Sequence, residues 1–150
     1  MIEVRKAQPS DAKYIVKFQL GLAKETEDID LDKETVQKGV DQVFSDESKG
    51  QYFVAELEGE VVGSLLTTYE WSDWRNGTTL WIQSVFVHKK HRWHGVYKKL
   101  YHHVKQMVAE DPNYTGIRLY VYKDNQRAKA AYSNLGMHGD SYEIFEWMKE

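Results

Sequence analysis

Hydrophobic residues recur at two spacings along the chain, and each spacing predicts one type of element. Alternating or continuous apolar runs are typical of strands, and they occur at Ile2–Lys6, Gln51–Leu57, Val61–Tyr69, Thr79–Val87, Ile117–Tyr122 and Tyr142–Met148. Apolar residues repeated once per helical turn predict four helices. The first carries Ile15, Phe18 and Leu22, the second Val36, Val40, Val43 and Phe44, the third runs from about Val96 to Glu110, and the fourth from Asn125 to Leu135. This order, β-α-α-β-β-β-α-β-α-β, predicts an α/β fold in which a central mixed β-sheet is flanked by helices.

Turn and capping residues separate these elements. Glu58-Gly59-Glu60 and Arg75-Asn76-Gly77 predict two hairpin turns, since glycine and the Asn-Gly pair tolerate the positive φ that tight turns need. Asp111-Pro112-Asn113 ends the third helix. Asn125 is expected to cap the fourth helix, which stops at Gly136.

One stretch, from Ser84 to Tyr101, combines a strand, a basic loop, a glycine and a helix start. No Asp or Glu occurs from Trp74 to Ala109, although seven of the 20 lysines and arginines lie there. The first turn of a helix has unpaired N–H groups and the positive end of the helix dipole, and Gly95 lets a ligand approach the backbone. The pattern therefore predicts a site for a ligand that carries phosphate.

Length and composition narrow the class of protein. A chain of 150 residues without a Gly/Ser-rich linker predicts a single domain over residues 1–150. Because the chain has no cysteine, disulfides, thiolate metal sites and a cysteine nucleophile are excluded. No apolar run has the length of a signal peptide or of a membrane span, so we expect no membrane partner and a cytoplasmic location.

Two motifs resemble those of the GCN5-related N-acetyltransferase (GNAT) superfamily. The first is Arg92, two residues, Gly95, one residue and Tyr97, where the superfamily has a glycine or an alanine at the last position. The second lies in Asn125–Met137 and includes Tyr132 and a Leu-Gly pair. The resemblance covers essentially the whole chain. It implies the GNAT-like acyl-CoA N-acyltransferase fold, acetyl-CoA as co-substrate with no metal, and acetyl transfer to an amine.

The resemblance also implies which residues bind the cofactor. The main chain of Val85 and Val87 would bond the pantetheine arm and donate to the thioester oxygen. The full cofactor-binding set is Val85, Phe86, Val87, Arg92, Trp93, His94, Gly95, Val96, Tyr97, Lys98, Asn125, Ala128 and Tyr132. Tyr132 is the expected general acid, since a phenol of pKa about 10 is protonated at neutral pH and can donate to the departing thiolate. Without a cysteine to carry the acetyl group, we expect direct attack in a ternary complex.

The acceptor side is expected at the second hairpin, whose sequence is most similar to the diamine acetyltransferase branch. Where that branch has two acidic residues on its central strand, this chain has Gln83 and Ser84, so diamine specificity is not implied. Glu70 and Asp73 are candidates for the general base. The expected acceptor-binding residues are Glu27, Trp71, Asp73, Trp74, Gln83 and Ser84. We expect a small primary amine, with polyamine, aminoglycoside, amino acid and protein N-terminus all open.

Other interpretations of the same residues are a catalytically silent CoA-binding sensor and a nucleic-acid-binding module. The basic loop with Trp93 and Tyr97 resembles a nucleic-acid patch, but the acidity of the rest of the chain argues against that partner. His88, His91 and His94 are evenly spaced, yet a loop does not align them as zinc ligands. The two hairpin tryptophans would also suit the interface of a homodimer.

Overall fold

The computed structural model describes residues 1–149, which form five β-strands and four α-helices. The strands are β1 (Ile2–Lys6), β2 (Gln51–Leu57), β3 (Glu60–Ser72), β4 (Gly77–Val87) and β5 (Tyr114–Leu119). The helices are α1 (Ala12–Glu27), α2 (Lys33–Ser45), α3 (Val96–Glu110) and α4 (Gln126–Asn134). The predicted mixed α/β fold is confirmed. The chain divides into two compact units, Met1–Leu119 and the residues from Tyr120 onward.

The first unit contains a single sheet with strand order β1-β2-β3-β4-β5. Neighbouring strands are antiparallel except β4 and β5, which are parallel. The β2–β3 turn holds Glu58 at φ 52° and Gly59 at φ 81°, as the hairpin prediction requires. The predicted β3–β4 turn is also present, with Asn76 at φ 51°. The long β3–β4 hairpin forms the middle of the sheet.

Helices pack on both faces of the sheet. On one face, Ile15 and Val16 of α1 and Val40 of α2 pack with Tyr52 and other apolar strand residues in one buried cluster. Successive strand residues point to opposite faces, and Phe53 accordingly contacts His103 of α3 on the other side, with ring centroids 5.2 Å apart. Burial lowers the pKa of His103, since it disfavours the charged imidazolium.

Four of the six predicted strands differ from the structure, and two of them only in that the observed strands are longer: β3 and β4 extend beyond the predicted Val61–Tyr69 and Thr79–Val87. The run at Ile117–Tyr122 predicts the right element but the wrong bounds, since β5 is Tyr114–Leu119 and its pairing with β4 begins at Tyr114. The predicted strand Tyr142–Met148 is wrong, because no strand is assigned to residues 137–149. A strand forms only where a neighbour bonds its backbone, and an apolar run does not by itself supply that neighbour. In this segment Phe145 is 93% exposed.

The second unit is built around α4. The side chain of Asn125 accepts a hydrogen bond from the Ala128 N–H at 3.1 Å, so the predicted cap is confirmed. Beyond the helix, Gly136 has φ 88° and Met137 N–H donates to the Tyr132 carbonyl at 3.1 Å. This arrangement is the expected glycine stop.

Across the part of the chain that the structure describes, no helix is both long and apolar enough to cross a bilayer.

Candidate active site

Strand β4 loses one of its two neighbouring strands halfway along its length. Its pairing with β5 ends at Ile82 and Leu119, whereas its pairing with β3 continues to Val87. Within the first unit, Gln83–Val87 therefore has a backbone edge that no strand ladder occupies. A bulge lies in the same stretch, because two steps on β3 match three on β4 and Ser84 is left-handed at φ 54°.

The main chain of Val87 faces this open edge. His88 N–H donates to the Val62 carbonyl on β3 at 2.8 Å, and because main-chain groups alternate along a strand, those of Val87 point the other way. The Val87 carbonyl accepts from Arg92 Nε at 2.8 Å. The Val87 N–H thus points away from β3, to the open edge of β4.

The start of α3 has the features of an anion site. Gly95 occupies the N-cap position in a left-handed conformation at φ 84°, without a side-chain cap. A Cβ added at Gly95 would meet nothing within 4 Å, so the backbone there is open. The first N–H groups of a helix have no partner within the helix, and Lys89, Lys90, Lys98 and Lys99 around them are exposed.

The other predicted residues of this loop have distinct environments. Val96 is 1% exposed and packs near Gly63 of β3, while His94 is exposed. Trp93 is 86% exposed and adopts φ 71°, which is unfavourable for a bulky side chain. Tyr97 is the second residue of α3 and is partly buried.

Arg92 is directed to the protein rather than to solvent. Its Nη2 donates to Glu25 Oε2 at 2.6 Å, and its guanidinium carbon lies 5.4 Å from the Phe86 ring centroid. With the bond to the Val87 carbonyl, three contacts hold this side chain. Any contact of Arg92 with phosphate in this conformation would come from its backbone.

A polar network crosses β3, β4 and β5. Glu70 accepts from Trp81 Nε1 at 2.7 Å and from Arg118 Nη1 at 2.9 Å, and Gln83 Nε2 donates to Thr68 Oγ1 at 2.7 Å. The hydrogen bond from Trp81, followed by that from Arg118, holds the pKa of Glu70 below its ordinary value. A carboxylate with both oxygens bonded and a lowered pKa is a weak proton acceptor, so these contacts favour a positioning role for Glu70.

The remaining acceptor-side predictions lie at exposed positions. Trp71 is 64% exposed near the end of β3, and Trp74 is 90% exposed in the turn, beside the exposed Asp73. Glu27 is the last residue of α1 and is exposed. The structure therefore groups Gln83 and Ser84 with the open edge of β4, whereas the tryptophans lie at the far end of the same hairpin.

The second unit holds Asn125, Ala128 and Tyr132. The side-chain oxygen of Asn125 is used as the helix cap, which leaves its amide N–H₂ as the group that could reach a ligand. Tyr132 is 9% exposed within α4.

Several residues of the site are missed by sequence reasoning. Glu25, Thr68, Trp81 and Arg118 engage predicted site residues through contacts such as Glu25–Arg92, which spans 67 positions. Local patterns carry no signal for pairs so far apart. The alternation of the β5 segment places Arg118 opposite its apolar neighbours but does not identify its partner.

Within residues 1–149, no group of three or more His, Asp or Glu side chains is arranged to hold a metal ion. His88 and His91 lie near each other, with ring centroids 5.9 Å apart.

Comparisons with known proteins agree with this arrangement. The model of the acetyltransferase (GNAT) family matches residues 20–137. A crystal structure of a possible acetyltransferase from Clostridium difficile 630 is 44% identical, with a TM-score of 0.93, covering 100% of this chain and 99% of that chain. No curated protein sequence gives a match.

More distant structures share the fold alone. Glucosamine-6-phosphate N-acetyltransferase from Arabidopsis thaliana is 20% identical with a TM-score of 0.73, covering 99% of each chain. Ribosomal-protein-alanine N-acetyltransferase from Brucella melitensis biovar Abortus 2308 is 13% identical with a TM-score of 0.80, covering 99% of this chain and 100% of that chain.

Together with this fold, the family match and the similar crystal structure place the chain in the N-acetyltransferase class of enzymes. The family match and the 44% identical structure show that the chain belongs to the acetyltransferase (GNAT) family. The likeness to the diamine branch stays a prediction.

Proposed function

We propose that this enzyme transfers the acetyl group of acetyl-CoA to a primary amine on a small molecule, by direct attack in a ternary complex. The observation that carries the proposal is the open edge of β4 at Gln83–Val87, which leads to the uncapped start of α3. The open edge of β4 offers main-chain donors for an extended arm that contains amides, and the start of α3 offers N–H groups for a diphosphate.

The residues present fit coenzyme A. The first amides of α3, with Lys98 beside them, would hold the diphosphate, and the absence of a Cβ at Gly95 leaves room for it. The main chain of Val85 and Val87 would bond the pantetheine arm, and the resemblance to the family assigns the amide N–H₂ of Asn125 a hydrogen bond to the cofactor's amides. Acetyl-CoA, when bound, supplies the acetyl group as a thioester.

Three tasks fall to the protein's own groups in this reaction. N–H donors on β4 would stabilise negative charge on the carbonyl oxygen, each by about 2.7–4 kcal/mol. Tyr132 would donate its phenolic proton to the departing sulfur. Asp73 or Glu70, directly or through water, would take the proton of the incoming ammonium. The contacts of Glu70 weaken it as a base, and Asp73 lies in the turn at the far end of the hairpin from the open edge of β4, so Asp73 would act through a chain of waters.

Replacement of Tyr132 by Phe tests the acid assignment. We expect kcat to fall at least about 100-fold, most strongly at high pH where hydronium is scarce, while the variant still binds CoA. Thiol release measured against a panel of amines, together with calorimetry on CoA, gives both quantities. Unchanged turnover would refute the role of Tyr132, and CoA binding without turnover on any amine would favour the sensor.

We also propose that the protein is a homodimer. Phe145 and Trp147 are 93% and 88% exposed, and aromatic side chains of this size bury about 150–250 Å² each in an interface. Light scattering should give twice the chain mass for the wild type and the chain mass for a variant with Phe145→Ser and Trp147→Ser. A monomeric wild type would contradict this proposal.

The family match spans residues 20–137 and thus parts of both compact units, which supports the single-domain prediction. The cytoplasmic location and the absence of a nucleic-acid partner stay predictions.

A further inference from the structure

We propose that Glu25 is a positioning residue for the cofactor loop, residues 88–95, and that it acts through Arg92. This inference rests on the proposed function, since the loop is the part of the site assigned to the diphosphate.

Helix α1 presents one continuous line of contacts to the end of β4. Phe18, Gly21 and Glu25 follow one another at helical spacing on the same face. The Phe18 and Phe86 rings stack with centroids 5.2 Å apart. A Cβ on Gly21 would lie 3.3 Å from Phe86 Cζ, so the helix passes close over this ring.

Arg92 joins this line of contacts to the loop. It bonds Glu25 at 2.6 Å and the Val87 carbonyl at 2.8 Å, and its guanidinium lies over Phe86. The side chains of Arg92 and Glu25 are 16% and 28% exposed. The Lys38–Glu34 pair on α2, by comparison, is 75% and 78% exposed. Partial burial makes the first pair less screened by solvent than the second.

The contacts of Arg92 matter for the cofactor loop because the backbone of this loop is strained. Trp93, directly after Arg92, has φ 71°, a conformation that L side chains other than Asn and Asp rarely adopt. Two positions later Gly95 has φ 84° and presents the first amides of α3. The carboxylate of Glu25 therefore holds Arg92, and Arg92 holds the loop in the conformation that aims those amides at a diphosphate.

Replacement of Glu25 by Gln removes the charge and keeps the size of the side chain. Glu34→Gln, which removes the exposed ion pair on α2, is the matched control. Two readouts are used: the dissociation constant of CoA by calorimetry, and amide hydrogen exchange of residues 88–96 without ligand. We expect Glu25→Gln to weaken CoA binding about 5–10-fold, the scale of one charge-assisted hydrogen bond, and to speed exchange in the loop. Glu34→Gln should match the wild type in both.

A double-mutant cycle with Arg92→Gln separates action through Arg92 from a general effect. On the Arg92→Gln background, adding Glu25→Gln should change the CoA dissociation constant by less than about twofold. Fold losses that multiply would overturn the proposal, and so would wild-type exchange and affinity in Glu25→Gln. If the wild type does not bind CoA, the proposed function fails, while the exchange rates still decide whether Glu25 orders the loop.

Discussion

At the scale of single residues, the two candidate bases differ in how their carboxylates are held. Glu70 is bonded by both Trp81 and Arg118, which lowers its pKa, whereas Asp73 is exposed in the hairpin turn. A base must release its hydrogen bonds or accept a proton despite them, and a lowered pKa makes that harder.

Glu70→Gln should therefore leave kcat within about fivefold of the wild type, whereas loss of a general base lowers it about 10²–10⁴-fold. Steady-state kinetics of Glu70→Gln, Asp73→Asn and the wild type, measured across pH, compares the two candidate bases. We expect Glu70→Gln to cost only about 0.5 kcal/mol of stability, because the Glu70 and Arg118 side chains are 37% and 34% exposed and solvent screens the pair. A hundredfold loss of kcat with an unchanged melting temperature would make Glu70 the base.

At the scale of elements, sequence reasoning works where the signal is local. The third helix is predicted from about Val96 to Glu110 and occupies Val96–Glu110, since Gly95 and the Asp-Pro break mark its ends. The bulge at Ser84 and the Glu25–Arg92 pair are not predictable in this way. Both depend on which strand or helix lies alongside. The same limit applies to an apolar run such as Tyr142–Met148, because its sequence does not identify the strand with which it would pair.

Strand β3 lies so close to β4 and to the start of α3 at Gly63 that a larger residue would not fit there without a shift. A Cβ at Gly63 would lie 2.9 Å from the Phe86 carbonyl oxygen and 3.2 Å from Val96 Cγ1. Gly63→Ala should therefore displace the start of α3, lower the free energy of unfolding by about 1–3 kcal/mol and weaken CoA binding. Urea denaturation and calorimetry measure the two effects.

The control for that variant is Gly39→Ala in the middle of α2, where an added Cβ meets nothing within 4 Å. Alanine has the higher helix propensity, so this change should stabilise the protein by about 0.5–1 kcal/mol. If Gly63→Ala stabilised the protein as Gly39→Ala does, the close approach at Gly63 would not contribute to the free energy of unfolding.

At the scale of the whole molecule, a buried carboxylate at the N-terminal edge of the sheet makes the free energy of unfolding depend on pH in the acid range. Asp11 is 4% exposed and is bonded by Arg5 at 2.8 and 3.0 Å and by Gln8 N–H at 2.7 Å. The Arg5 guanidinium is the main cause that holds the pKa of Asp11 below its ordinary value. Arg5 also bonds Glu56 on β2, so one side chain joins β1, β2 and the start of α1.

The pKa of Asp11 is lower in the folded protein than in the unfolded chain, where it is about 3.9. Ionised Asp11 therefore stabilises the fold fully at pH values above the unfolded pKa, and this contribution is lost as the pH falls through the folded pKa. Asp11→Asn should lower the free energy of unfolding by about 2 kcal/mol at pH 7, and the difference from the wild type should shrink near pH 3. Urea denaturation at both pH values tests this expectation. A difference that is the same at both would show that the charge of Asp11 is not what stabilises the fold.

The pairing of Glu25 with Arg92 has a consequence for how a cationic substrate would meet this protein. Arg92 pairs with Glu25, and Lys24 is bonded to Asp28 and Asp30, so two cations stand against the five acidic residues between positions 25 and 32. The bond from Asp32 to Thr35 is to a neutral group and does not neutralise the aspartate. The excess negative charge acts over about 8 Å at physiological salt, so this segment would draw a cationic amine toward the protein before close-range fit selects it.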